Sequence, residues 1–132
     1  MESKLDLLKS HFLNMYLTAL SDFDFAKEEF DLIKELGKNI GLTDEIMQEI
    51  LMHPQSVEFI VPEDMNTKIE MLYEYARIIW ADKKILKEEE ELLKKFVAKY
   101  GFGKVEEITS LLLNSVQQNL PVEEVINKIE KL

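Results

Sequence analysis

Residues 20–42, LSDFDFAKEEFDLIKELGKNIGL, lie without a gap over residues 80–102, WADKKILKEEEELLKKFVAKYGF. At this offset of sixty Asp22 meets Asp82, Phe25 meets Ile85, and Lys27-Glu28-Glu29 meets Lys87-Glu88-Glu89. Further on, Leu32 and Ile33 meet Leu92 and Leu93, Leu36 meets Phe96, and Gly41 meets Gly101. Each copy reads as a helix end, a loop carrying aspartate, a helix opened by Glu-Glu, and a glycine stop. A short unit seen twice cannot bury its apolar face alone. Two such units sharing one core imply a pseudo-twofold arrangement of helical hairpins.

The rest of the chain agrees with that frame. Apolar residues recur at spacings of three and four, the period of an amphipathic helix. Leu5, Leu8, Phe12, Met15, Ala19 and Leu20 form one stripe behind a Ser3 cap, and Leu32, Ile33, Leu36 and Ile40 form a second that ends at Gly41. Thr43 opens a third helix that His53-Pro54 closes, because the residue before proline is pushed out of the helical region. Residues 54–66, PQSVEFIVPEDMN, form a connector between two prolines, apolar enough to pack down as an extended arm or short strand. Helical spacing returns with Ile69, Leu72, Tyr73, Ala76, Ile79 and Trp80, and Leu92, Leu93, Phe96, Val97 and Tyr100 follow it. Val105 to Val116 make a further helix, and Pro121 starts a last one. The expectation is an all-α, compact bundle of about seven helices in a single domain, 1–132. Repeat one covers about 5–53, the connector 54–66, repeat two about 67–118 and the C-terminal helix about 121–131.

Charge narrows the partners. The chain carries 16 Lys+Arg against 26 Asp+Glu, a net charge of −10. Nucleic acids and anionic membrane surfaces call for clustered basic residues, so neither is an expected partner. The acidity is uneven: residues 1–66 hold 5 bases and 14 acids, a net −9, whereas residues 67–132 hold 11 and 12, a net −1. A cation or basic partner should therefore favour the first half. With no cysteine, disulfides, thiolate metal sites and cysteine nucleophiles are excluded. The longest strongly apolar stretch, HFLNMYLTALS, falls well short of the ~20 residues that span a bilayer. MESKLDLLKS has charges spaced through its apolar positions, unlike a signal peptide, so a cytoplasmic location without membrane insertion is expected.

The doubled motif, an apolar helix, an aspartate loop, an apolar residue, then a Glu-opened helix ending in glycine, resembles the tellurite-resistance TerB family. The likeness covers roughly residues 5–115, with 80–102 the closer copy and 20–42 the weaker one. It implies a compact all-α domain with no established enzymatic activity, in a stress-related setting, and acidic loop residues associated with divalent cations. On this sequence the family aspartate falls on Asp22 and Asp82 and the family glutamate on Glu29 and Glu89. Where the family has glycine, Phe23 and Lys83 stand, and a left-handed residue there is costlier without glycine. Ala26 and Leu86 replace the small polar residue at the helix start.

A hard cation such as Ca²⁺ or Mg²⁺ needs converging oxygen ligands. Asp22, Asp24, Glu28 and Glu29 are the candidates in the first copy, with Asp82 and Glu89 in the second, where Lys83, Lys84 and Lys87 oppose a cation. The same glutamates also suit a helix N-terminus, through its dipole. An EF-hand is excluded, because a loop starting at Asp22 would put Lys27 and Ile33 where glycine and glutamate are required. His11 and His53 read as packed or capping residues, and no phosphate loop or nucleophile elbow is present. Trp80 and Tyr73 lie on the apolar stripe and read as core in preference to a groove for a partner helix, whereas Tyr75 lies off it and is expected at the surface. The reading is a non-enzymatic binding or adaptor module with an unidentified protein partner, its acidic loop at Asp22–Glu29 a candidate cation site. The alternative is a purely structural interaction domain or homodimer that buries Phe59, Val61 or the last helix.

Overall fold

The computed structural model describes residues 3–20 and 27–132, and for residues 27–30 the backbone alone. Its elements are α1 (Lys4–Leu20), α2 (Lys27–Asn39), α3 (Asp44–Met52), a single 3₁₀ turn (Pro54–Ser56), α4 (Met65–Trp80), α5 (Lys87–Lys99), α6 (Val105–Gln117) and α7 (Val122–Glu130). No strand occurs among the described residues.

Helix bounds echo the offset seen in the sequence. α1 and α4 end sixty residues apart, and α2 and α5 agree at both ends. Their stops are alike in detail. Gly41 and Gly101 take left-handed φ of 101° and 94°. The N–H of Leu42 donates to the Gly37 carbonyl at 3.0 Å, and that of Phe102 to Val97 at 3.3 Å. These six-residue closures satisfy carbonyls that the helix end leaves open, and a left-handed residue makes them reachable.

The N-termini are closed by different means. The N–H of Asp6 donates to Ser3 Oγ at 3.1 Å, that of Ile46 to Thr43 Oγ1 at 3.2 Å, and that of Thr67 to Asp64 Oδ2 at 3.0 Å. Leu86 has no side-chain acceptor to offer α5. There Glu89 reaches back to accept from the Leu86 N–H at 2.9 Å, one half of a capping box.

α4 is the axis of the bundle, touching α1, α2, α5, α6 and α7. Ile69, Leu72, Tyr75, Ala76, Ile78 and Ile79 along it are wholly buried, and Phe12, Met15, Leu93, Leu112 and Val125 pack the same core. This encirclement corrects the expectation for Tyr75, which is 0 % exposed. Past its first turn α4 leaves only Glu70 and Arg77 exposed, with Glu74 half-buried between them, and Tyr75 lies off that line. Leu5 and Leu20, by contrast, lie exposed at the ends of the α1 stripe.

The connector forms no strand. Val57 and Val61 pack against the core, and the Ser10 hydroxyl pins the segment by accepting from the Ile60 N–H at 2.9 Å and donating to its carbonyl at 3.4 Å. No helix is long and apolar enough to cross a membrane among the described residues.

Candidate functional site

The second acidic loop is built around Lys83. α4 ends as the Lys83 N–H donates to the Trp80 carbonyl at 2.9 Å, and Lys83 itself sits at φ 63°. This is the position where the resembled family has glycine, and lysine takes the left-handed conformation there at a cost of about 1–2 kcal/mol. Asp82 Oδ1 accepts from the Lys84 N–H at 3.1 Å, which fixes the turn. Glu89 is fully buried and turned to the Leu86 amide. In the first copy, Asp22 and Asp24 lie outside the described residues. Glu28 and Glu29 fall in the first turn of α2, and their side chains are likewise outside the description. Among the described residues no group of three or more histidines, aspartates and glutamates is placed to hold a metal ion.

The most concentrated polar chemistry lies in the interior. α1 buries Ser10, His11, Asn14 and Thr18. His11 Nδ1 is 2.9 Å from the Tyr75 hydroxyl, which lies 2.7 Å from that of Tyr100. Asn14 Nδ2 donates to Tyr75 at 3.1 Å and to Tyr100 at 3.5 Å. His11 Nε2 is 3.3 Å from Glu74 Oε1, outside hydrogen-bond alignment. One proton arrangement links the three rings: Tyr100 donates to Tyr75, and Tyr75 donates to His11 Nδ1. Burial pushes the Tyr75 hydroxyl well above the usual tyrosine range, and the Tyr100 hydroxyl upward too, so both stay protonated phenols at neutral pH. His11, Tyr75 and Tyr100 are each at most 1 % exposed. The chain therefore acts as a clamp that joins α1 to α4 and to the end of α5. The signal for it stands in the sequence, where His11, Asn14 and Thr18 recur at helical spacing inside the apolar run.

At the surface, a cleft of about 450 Å³ opens where the C-terminal ends of α4 and α6 meet α2, lined by Tyr73, Arg77, Trp80, Lys83, Gln117 and Asn119 over a floor that includes Leu32 and Val116. Arg77 and Trp80 are the only arginine and the only tryptophan of the chain. The Arg77 guanidinium stands 4.9 Å from the Tyr73 ring centroid, and Lys83 Nζ 5.4 Å from that of Trp80. The Tyr73 hydroxyl donates to the Leu120 carbonyl at 2.7 Å, which holds the ring beneath Arg77. In the last turn of α4, Arg77 also faces the negative end of that helix.

The residues expected at an interface are placed differently. Val61 is half-buried against the core. Phe59 is 40 % exposed, yet its ring stacks 6.4 Å from Phe96 and Lys99 Nζ lies 4.9 Å from its centroid. Comparison of the chain with protein-family models, with curated proteins and with solved structures gives no match.

Proposed function

We propose that this chain is a non-enzymatic binding module, an adaptor of TerB-like architecture, that docks a protein partner in the cleft between α4 and α6. The composition of that cleft carries the reading. Aromatic residues and arginine are the side chains that dominate binding energy at protein interfaces, and this cleft presents the chain's single tryptophan and single arginine together. The matched helix bounds at an offset of sixty support a scaffold of two like units. Within it the buried polar chain is closed to ligands, whereas the cleft is open to them.

The test is photo-crosslinking in the native cells, with a photoreactive residue at Gln117 in the cleft and a control at exposed Glu45 on α3. A discrete adduct from position 117 above the control is expected. No adduct beyond that control ends the docking reading.

In this reading the first acidic loop adds a divalent cation site of the Ca²⁺ or Mg²⁺ type, formed by Asp22, Asp24, Glu28 and Glu29 in the half that carries −9. Calorimetric titration should show binding tighter than ~1 mM, within the range of weak calcium modules, that Asp22→Ala removes. No heat and no rise in melting temperature would refute that addition. Exposure of Phe59 favours a second reading, a homodimer through the connector. A monomer by light scattering across micromolar concentrations rejects it.

A further inference from the structure

Building on the binding-module reading, we infer that the cleft takes an acidic peptide segment of the partner, with carboxylates meeting Arg77 and Lys83 and an apolar side chain meeting Trp80, Leu32 and Val116. Charge is the first argument. Four other surface clefts each carry at least one carboxylate among their lining residues, Asp6, Glu88, Asp44 and Glu130 being examples. The cleft at Arg77 carries none among the described residues, although acids outnumber bases 26 to 16 in the chain.

Both cations are also unspent. Among the described residues, Lys94 gathers Glu90, Glu91 and Glu106, whereas Arg77 and Lys83 form no ion pair and rest on aromatic faces. Side chains already held in place lose less freedom when a ligand arrives. The backbone adds a third observation. Lys83 at φ 63° and Asn119 at φ 56° are the non-glycine residues with left-handed backbone among those described, and both line this cleft. Asn119 is the left-handed stop of α6, where the Leu120 N–H donates to the Ser115 carbonyl at 3.0 Å, so Lys83 is the position where strain points to the side chain.

A peptide fits these features better than a small anion. Exposed cations gain little from a lone carboxylate in water. A segment that also covers Trp80 and the apolar floor excludes water from the charge contacts and strengthens them. Nucleic acid is disfavoured, because two cations on a chain of net charge −10 cannot neutralise a run of phosphates.

The test uses the whole chain and a fluorescent peptide of alternating aspartate and leucine, read by anisotropy and by the emission of the lone Trp80. An asparagine-leucine peptide and free succinate serve as comparators. At about 0.15 M salt, where the Debye length is ~8 Å, distant acids of the protein are screened. The acidic peptide should bind and shift Trp80 emission. The double variant Arg77→Gln/Lys83→Gln should weaken binding about tenfold with an unchanged circular dichroism spectrum, and Lys128→Gln on α7 should leave it unaltered. The inference is overturned by equal binding of the asparagine-leucine peptide, by equal binding of succinate, by indifference to the double variant, or by no binding. If the position-117 adduct persists while the acidic peptide fails, the partner chemistry is wrong and the docking reading stands. Loss of both removes both.

Discussion

α1 and α4 end in the same register sixty residues apart and face each other across the core, yet they bury different things. Phe12, Met15 and Ala19 on α1 stand opposite Leu72, Tyr75 and Ile79 in that register, and all six are buried. Around them α1 also buries Ser10, His11, Asn14 and Thr18, whereas α4 buries apolar residues and two tyrosines. The partners of the two hairpins differ too: Gly37 on α2 occupies the place that Val97 fills on α5. One frame is thus packed in two ways. The first hairpin supplies polar hooks and a close helix approach, and the second supplies apolar bulk and an aromatic cleft.

Breaking the clamp between the two helices should have the largest effect. Tyr75→Ala removes a fully buried ring and leaves His11 and Asn14 without their shared hydroxyl, and is expected to cost about 3–5 kcal/mol by urea denaturation. Tyr75→Phe keeps the ring and should cost only about 1–3 kcal/mol, the penalty for leaving buried donors unpaired. No loss in Tyr75→Phe would mean that the hydroxyl network contributes nothing.

The tight approach at Gly37 gives the next effect. A Cβ there would lie 2.6 Å from Met47 Sδ and 3.0 Å from Phe12 Cε1. Gly37→Ala gains about 1 kcal/mol in helix propensity but should lose about 1–3 kcal/mol to overpacking. Thermal melting of this variant should therefore show net destabilisation. A gain in stability would show that Met47 yields without cost and that the two hairpins pack alike.

Alkaline pH separates the two sides of the clamp without a deletion. Burial raises the Tyr75 and Tyr100 pKa above the ordinary 10.0. Above that pH the unfolded chain sheds protons that the folded chain retains, so stability should be full below pH 10.0 and fall as pH rises beyond it. Denaturation midpoints across that window should decline less steeply for Tyr75→Phe. An identical slope would remove Tyr75 from the linkage.

The smallest effect distinguishes the junctions. Lys83→Gly relieves a left-handed backbone in the second loop and should stabilise by about 0.5–1 kcal/mol, net of glycine's own entropy cost. If the cleft binds as inferred, the same variant should lose affinity while gaining stability. A loss of both would mean that the lysine serves the fold alone.

The comparison of α1 with α4 also marks how far pattern reading reaches. Helical period, glycine stops and proline breaks locate the seven α-helices among the described residues, because those signals act within a few residues of one another. The offset of sixty was legible for the same reason. Tyr75 was not, since whether an off-stripe residue meets solvent depends on how many helices surround its own. The candidate metal residues divide likewise. The family resemblance put forward Asp82 and Glu89 as ligands, and only the structure adds that Asp82 accepts from the Lys84 N–H and Glu89 from the Leu86 N–H.

Sequence alone determined the helices, their stops and the lopsided charge. These follow from local backbone preferences and from counting. Only the tertiary structure decided that His11 and Asn14 of α1 would reach the hydroxyls of Tyr75 on α4 and Tyr100 just past α5, and that Arg77 and Trp80 would share a cleft with residues of α6. Those juxtapositions join positions dozens of residues apart, and their energies depend on the distance, burial and alignment that packing sets.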